Sequence, residues 1–519
     1  MPLNVAAKSY LAGFPTLTGK ICVALQAATP GELIGRAEST LAEANFLEFR
    51  LDSVANPAEA LAPLGEFLRS HPEVTAIGTC RRRPNSGSFA GTLAEELELL
   101  AKAAQAGCRI VDLEVESAEE AGVEQIAALR ARLLATGTKL LVSFHDFHAT
   151  GDLEQAARRI EAFRPDYIKV VSTAQTLVDN LAVLRLIEEK SARARVVGIA
   201  MGEEGVVSRV LGPRAGAAFT FASSGTGAET APGQVTAQAL AGLYRTGQLD
   251  RQTQVYGVAG NPISHSLSPL MQNAAFVAAG VNAVLLPVRV GAMDDFLRLF
   301  HELPLAGSAV TMPCKQEVIA HLTSMDTLTA RIGACNTLRR AANGDIEGFN
   351  TDVAGVLRPL EKRLKLRGAR IAILGAGGAA RAAVFGLVDQ GAEVFVVNRT
   401  HSAALTLAAE AGAQALTQAE FAGGHFDALI NSTPCGMAGS REALPIAASE
   451  LNASLVFDMV YNPIETPLLK LARERGLATI RGVEMFLQQG VRQFELWTGK
   501  PAPEAEMLRV VEQALQQGD

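Results

Sequence analysis

Residues 369–387 read ARIAILGAGGAARAAVFGL: an apolar β-branched run, a glycine-rich turn and an alanine-rich stretch in immediate succession. The turn carries Gly375, Gly377 and Ala380 at G-x-G-x-x-(G/A) spacing, with Ala376, Gly378 and Ala379 between them. A glycine pattern alone is a weak signal. Placed after a strand and opening a helix, it predicts the turn of a dinucleotide-binding sheet, where backbone N–H groups and a helix N-terminus meet a pyrophosphate. The next apolar run, AEVFVVNRT (392–400), ends about 20 residues beyond the turn, where the adenosine ribose is read. An acid there would accept the hydroxyls of NAD. Here stand Asn398, Arg399 and Thr400, a cation with two hydrogen-bonding neighbours, which suits a 2′-phosphate and predicts NADP. Read alone, Arg399 would be a surface residue closing a strand; the strand context favours the phosphate.

Working back from this motif, the pattern lapses between about Leu240 and Gln254 into a polar stretch, TGQLDRQTQ, and a new strand, VYGVAG, follows it. A domain boundary is expected there. Ahead of the boundary, short β-branched runs alternate with Ala/Leu/Glu-rich stretches, and eight such runs can be counted: 21–25, 46–52, 75–80, 109–115, 139–145, 167–173, 195–201 and 218–223. Eight strands alternating with helices predict a (β/α)₈ barrel, whose reactive residues lie at the C-terminal strand ends. Polar residues fall where that rule puts them: Glu48 and Arg50 on run two, Arg81 after run three, His145 closing run five, Lys169 inside run six and Arg209 after run seven. Beside Arg82 and Arg83, Arg81 alone would read as a solvated loop; six coincidences together do not.

At 519 residues the chain is too long for one core, and a mixture of 48% hydrophobic with 19% charged residues predicts a multidomain α/β protein. A net charge of −7 would repel a phosphate backbone or an anionic membrane, so neither nucleic acid nor membrane is an expected partner. Anionic substrates must then be caught by local basic groups, which directs attention to basic residues at strand ends. Six scattered cysteines without a CxxC pair read as reduced core thiols. No metal is expected. With neither a signal-peptide core nor a transit-peptide composition in the first thirty residues, the cytosol is the expected location, or a plastid if a transit peptide has been removed.

Lys169, in DYIKVVSTA (166–174), is carried into an apolar barrel, where desolvation and nearby positive charge would favour the neutral amine that attacks a ketone. Standing alone it would read as a lysine snorkelling to the barrel mouth. His145, in SFHDF (143–147), ends the adjacent strand and places a base beside an imine, an arrangement fit for eliminating water. These residues, with LEFRLD, the arginine after IGTC, MGEEGVVSRVLG and TAPGQ, resemble in order the motifs of the type I 3-dehydroquinate dehydratases over about residues 15–240. The resemblance implies Lys169 as Schiff-base former and His145 as general acid/base, without a cofactor. It further implies Arg209 as partner of the substrate carboxylate, and Glu48, Arg50, Arg81, Thr230 and Gln234 as hydroxyl and carboxylate contacts. Many relatives carry Glu-Gly-Gly shortly after the strand-three arginine; this chain has RRRPNSGSF, with Asn85 near the acid's place.

The second half opens with GNPISHSLSP (260–269), whose Ser266 and Ser268 can converge on a carboxylate. In AVTMPCKQEV, Thr311 and Lys315 are four apart and share a side if the TMPCK turn starts a helix. GACNTL supplies Asn336 and GFNTDVAG supplies Asp352, which singly would read as a helix N-cap. With NSTPCGM, FDMVYNP and RGVEMFLQQG, these segments resemble shikimate dehydrogenase over about residues 253–519. The resemblance implies Ser266 and Ser268 on the carboxylate, Lys315 with Asp352 as the catalytic pair, and Thr311, Asn336, Tyr461 and Gln489 lining the substrate site. Where relatives often have a further basic residue after NRT, His401, Ser402 and Ala403 follow, leaving the phosphate to Arg399 with help from Arg381.

The expected organisation is a dehydratase barrel at 1–240, a shikimate-binding domain from 253–364 plus 481–519, and an NADP-binding Rossmann domain at 365–480 between its parts. The expected partners are 3-dehydroquinate and 3-dehydroshikimate or shikimate, and the chain itself as a monomer or small homo-oligomer. Two rival readings make the second half a quinate dehydrogenase using NAD, or the whole chain a non-catalytic sensor of quinate-like metabolites. Ser268 and Arg399 argue against the first; Lys169, His145, Lys315 and Asp352 argue against the second.

Overall fold

The computed structural model describes residues 19–225, 230–231, 233–264 and 266–518. Those residues divide into two compact units, one drawn from 19–253 with 287–304, the other from 254–286 with 305–518.

In the first unit eight strands follow one another: β1 Ile21–Leu25, β2 Phe46–Arg50, β3 Thr75–Thr79, β4 Ile110–Glu114, β5 Lys139–His145, β6 Tyr167–Thr173, β7 Arg195–Met201 and β8 Thr220–Ala222. They form one parallel sheet in the order β7-β6-β5-β4-β3-β2-β1-β8, and Ala218 N donates to Val196 O across the remaining gap, nearly closing a barrel. Period-two alternation decides what fills it. Phe46, Ile77, Ile110, Leu141, Val197 and Phe219 join one apolar cluster, the packed floor expected of such barrels. Two and four residues on, the same strand faces turn polar: Glu48 and Arg50, Asp112 and Glu114, Ser143 and His145, with Lys169 on β6. The apolar floor excludes water and the polar upper layers leave one reactive end. Helices between the strands start where local chemistry dictates, as at Leu93–Gln105, where Thr92 and Glu95 exchange hydrogen bonds in a capping box.

The remaining strands form two sheets. The first combines β9 Gln254–Gly260, β10 Ala283–Arg289, β11 Gly307–Val310, β12 Ser324–Met325, β13 Thr337–Arg340 and β14 Ile346–Phe349 in the order β10-β9-β11-β13-β14-β12. The pairs β9–β11 and β12–β14 are parallel, whereas β13 runs antiparallel to both neighbours. The second sheet contains β15 Arg370–Leu374, β16 Glu393–Val397, β17 Gln414–Ala415, β18 Phe426–Asn431, β19 Ala453–Asp458 and β20 Ala478–Ile480. Its order, β17-β16-β15-β18-β19-β20, is the 3-2-1-4-5-6 sequence of a doubly wound nucleotide-binding sheet, parallel throughout its pairs.

After β20 the chain returns to the first of these sheets through the helix Gly482–Thr498. Gln272 Nε2 donates to Gly490 O at 2.9 Å, Trp497 Nε1 donates to Leu338 O at 2.9 Å, and the Trp497 ring packs 5.0 Å from that of Tyr256. The six cysteines are buried free thiols, as their scatter predicts. Among the described residues no helix is long and apolar enough to cross a membrane.

Candidate active sites

All eight residues singled out in the first half, Glu48, Arg50, Arg81, His145, Lys169, Arg209, Thr230 and Gln234, line one cavity with Phe147 and Phe221. Lys169 is 4% exposed, and Ser143 on β5 is its register partner. Its nearest charged neighbours differ from the positive surroundings expected of it. They are acids: Asp112 Oδ2 lies 2.9 Å from Nζ and Glu48 Oε1 3.9 Å, while the Phe221 ring covers the ammonium at 4.2 Å. A cation so deeply placed needs opposite charge, and the alternating inward positions of β2 and β4 supply it.

His145 lies between opposite charges. Its Nδ1 is 2.9 Å from Glu114 Oε1 and its Nε2 is 3.2 Å from Arg81 Nη2. Burial, with Arg81 and Lys169 nearby, holds the imidazole well below its ordinary pKa, so the ring is neutral and able to take a proton. Three guanidinium groups form the rest of the polar wall. Arg50 is clamped by two bonds to Asp52, at 2.9 and 2.8 Å. Burial pushes the Asp52 carboxyl up, but the bonds and charge of Arg50, the Ser88 amide and the charge of Arg81 together hold it below its ordinary value. Arg81 pairs with Glu114 at 2.5 Å. Arg209, 1% exposed in the helix Val206–Ala215, is pushed down to about 10 by burial. At the rim, Gln234 Oε1 accepts from the Thr230 amide at 2.7 Å. Asn85 is not among the lining residues; its Nδ2 donates to Ser117 Oγ at 3.0 Å.

Two acids at the heart of this site, Asp112 and Glu114, escaped the sequence reading. The signal was present, since IVDLE sets two acids at alternate positions of a strand that is otherwise apolar, the pattern of a polar inward face.

The second unit gathers its predicted residues as completely. Ser266, Ser268, Thr311, Lys315, Asn336, Asp352, Tyr461 and Gln489 line one cavity with Ile263, Met459, Phe486 and Gln493. Lys315 Nζ donates to Asp352 Oδ2 at 2.6 Å, and Asn336 Nδ2 donates to Asp352 Oδ1 at 2.8 Å, so both carboxylate oxygens are held. Asp352 begins the helix Asp352–Glu361 as its first residue, with Thr351 in the cap position. The helix expected at TMPCK is a single turn, Cys314–Glu317, and Thr311 lies ahead of it. The two side chains still reach one cavity, because Thr311 O accepts from Cys314 N at 2.9 Å and folds the turn back. Tyr461 stacks on Phe486 at 5.0 Å, and burial raises its phenol. Gln493, one turn beyond Gln489, was not singled out from the sequence; its Nε2 donates to the Asn336 carbonyl at 3.3 Å.

The Gly375 turn fits a dinucleotide. Gly375 has φ +111°, and a Cβ there would meet Ser432 Oγ at 2.5 Å, so only glycine serves. At Gly377 and Gly378 a Cβ would meet nothing within 4 Å, leaving bare backbone at the start of the helix Gly378–Asp389, where a pyrophosphate could approach. Ala380 is fully buried, where its small side chain lets helix and sheet pack closely. Past β16, Asn398 Nδ2 donates to Thr400 O at 3.0 Å, and the Arg399 side chain is 91% exposed with Glu442 at 3.8 Å. Arg381 is committed elsewhere, to Ile332 O at 2.6 Å and Glu410 at 2.7 Å. Among the described residues no cluster could hold a metal ion.

Family models match both units. Residues 21–251 match type I 3-dehydroquinase, 258–338 the shikimate dehydrogenase substrate-binding domain, 359–438 shikimate/quinate 5-dehydrogenase, and 482–512 the shikimate 5′-dehydrogenase C-terminal domain. The bifunctional 3-dehydroquinate dehydratase/shikimate dehydrogenase of Arabidopsis thaliana, named as chloroplastic, is 33% identical over 484 residues, 89% of this chain and 78% of that protein. A shikimate dehydrogenase (NADP(+)) of Methanosarcina mazei is 40% identical over 277 residues, 51% of this chain and 99% of its own. The crystal structure of shikimate 5-dehydrogenase from Thermus thermophilus with NADP(H) and shikimate shares 33% identity, covering 50% of this chain and all of its own, with a TM-score of 0.47. With its two cavities and its nucleotide-binding sheet in one polypeptide, the chain belongs to the bifunctional 3-dehydroquinate dehydratase/shikimate dehydrogenases.

Proposed function

We infer that the chain performs two consecutive steps of the shikimate pathway, dehydrating 3-dehydroquinate and reducing the resulting 3-dehydroshikimate to shikimate with NADPH. The observation that carries the first reaction is the sharing of one cavity by a buried lysine and a neutral histidine. Lys169 Nζ attacks the ketone carbon, water leaves, and the iminium acidifies the adjacent C–H. His145 Nε2 takes that proton and a proton returns to the departing hydroxyl; hydrolysis of the imine frees Lys169. Arg209 pairs with the substrate carboxylate, while Glu48, Arg50, Arg81, Thr230 and Gln234 hold its hydroxyls and the rest of its charge.

In the second cavity Ser266 and Ser268 bind the carboxylate, and Thr311, Asn336, Tyr461 and Gln489 line the ring. NADPH, when bound over Gly375, Ala376, Gly377, Gly378, Ala379 and Ala380 with its 2′-phosphate near Asn398, Arg399 and Thr400, supplies the hydride. Lys315, oriented by Asp352, gives the carbonyl oxygen a proton or a fixed positive charge as that oxygen becomes an alkoxide. A domain division at 1–240, 253–364 plus 481–519, and 365–480 fits these assignments, and the expected location is the cytosol, or a plastid for an imported form.

Borohydride added with 3-dehydroquinate tests the first step. The substrate skeleton should be found on the peptide carrying Lys169, and Lys169→Ala should neither trap substrate nor dehydrate it. An adduct on another lysine, or full activity in that variant, removes the mechanism.

A further inference from the structure

Strand β4 carries two acids that the reactions above leave without a role. Asp112 and Glu114 are each 3% exposed, two residues apart on the inward face. Carboxylates at that depth persist only when paired and hydrogen-bonded. Asp112 meets the Lys169 ammonium at 2.9 Å. Ser143 Oγ lies 2.6 Å from Asp112 Oδ1 and 3.1 Å from Glu114 Oε1, and Glu114 Oε1 lies 2.9 Å from His145 Nδ1. One string of buried polar atoms thus joins the two reactive side chains from beneath.

The protonation of the ring follows from its neighbours. Arg81 Nη2 is 3.2 Å from His145 Nε2, and a guanidinium can only donate. Nε2 therefore accepts, and in the neutral ring the proton sits on Nδ1 and donates to Glu114. The opposite tautomer would set two N–H groups against each other at Nε2 and leave a lone pair facing a carboxylate at Nδ1. The tautomer selected keeps Nε2 basic, which is the atom that a proton abstraction requires.

We propose that Glu114 is the positioning residue of the dehydratase base: it fixes His145 as the Nδ1–H tautomer and stabilises the imidazolium formed when Nε2 takes the substrate proton. Ser143 and Asp112 brace it from the other side. The support is rigid, because Glu114 and Ser143 are register partners in the β4–β5 ladder. The loop after β3, residues 80–92, carries no acid to compete, and its Asn85 donates to Ser117.

The proposal rests on the reading of His145 as general acid/base. It is tested in the full chain with Glu114→Gln and Glu114→Ala, each alone and combined with His145→Ala. Dehydration is followed in single turnovers, KM is measured for the single variants, and the dehydrogenase rate of each variant gives a folding control. Misplacing a reacting group by about 1 Å can cost about 10²-fold, so each single variant should dehydrate about 10- to 100-fold more slowly with KM changed less than about threefold. In the His145→Ala background the same substitutions should cost less than about twofold, because the group they position is gone. A single-variant rate within about threefold of wild type, or an equal loss in both backgrounds, overturns the proposal. The near-isosteric glutamine variant keeps the test open should the alanine variant fail to fold. If His145→Ala alone kept the wild-type rate, the underlying assignment of the base would fall too; failure of the present proposal alone leaves that variant slow.

Discussion

Arg399 extends from the end of β16 with little around it except Glu442 at 3.8 Å, so its charge is free to meet a ligand. A charged hydrogen bond of the kind a 2′-phosphate would make contributes about 1.5–3 kcal/mol. Replacing Arg399 by alanine should therefore lower the ratio of kcat/KM for NADPH over NADH by about 10- to 100-fold. Arg399→Asp should lower it further by welcoming a bare ribose diol. An unchanged ratio in both variants would mean that the phosphate is read elsewhere. Arg381 cannot take over without leaving Ile332 O and Glu410, so fewer basic groups are free to meet a phosphate than the sequence suggests. At this scale the sequence was legible where a residue type is out of place. A lysine inside an apolar strand, a histidine at a strand end and glycines opening a helix each announce chemistry. Asp112 and Glu114 are equally out of place in their strand, yet an anionic substrate calls first for cations. What those acids contact is set by the neighbouring strands, and one strand's sequence does not contain it.

Many of the candidate residues lie at or just past strand ends, and β18 and β19 illustrate how the geometry of such ends is held. Asn431 closes β18 and Asp458 closes β19, both fully buried and joined by a 2.9 Å hydrogen bond from Asn431 Nδ2. Thr466 Oγ1 donates to the other Asp458 oxygen at 2.6 Å, while Thr433 N and Oγ1 donate to Asn431 Oδ1. Burial raises the Asp458 carboxyl from 3.8 to about 6. A carboxyl that binds its proton more tightly when folded adds stability at low pH, and this is lost as pH rises through about 6. Between pH 7.5 and 5 this group should therefore add about 1–2 kcal/mol to the stability of its unit. Trp497 is the lone tryptophan and lies in that unit, so its fluorescence during urea unfolding gives the measurement. The stability difference between wild type and Asp458→Asn should shift by that amount over the same pH range; a constant difference would leave Asp458 without the raised pKa. The elements themselves were legible from short β-branched runs, and β1, β5, β6 and β7 begin and end where those runs do. The TMPCK turn was less so, because a spacing of four fits a helix and a tight turn alike, and backbone bonds such as Cys314 N to Thr311 O choose between them.

At the scale of the whole molecule, two reactions that share an intermediate reside in two units, and each cavity is lined only by residues of its own unit. A substitution in one should leave the other reaction intact. Lys315→Met fills similar volume but offers the carbonyl oxygen neither proton nor charge. Because general acid catalysis contributes about 10²–10⁴ in rate, reduction should slow by about that factor while shikimate affinity changes modestly and dehydration is unaffected. Lys169→Ala should do the reverse. Neither variant alone should turn 3-dehydroquinate and NADPH into shikimate at an appreciable rate, but an equimolar mixture of the two should. In the mixture 3-dehydroshikimate must leave one chain and enter another, so shikimate appears after a lag in which that intermediate accumulates. With each cavity complete within its own unit, wild-type enzyme at the same concentration of each active site should release the intermediate too and show the same lag, followed at once by enone absorbance and NADPH oxidation. A wild-type lag several times shorter than that of the mixture would mean that the intermediate passes between the two sites of one chain before it equilibrates with solvent. Retention of more than about a tenth of the reduction rate by Lys315→Met would reduce that lysine to a binding group.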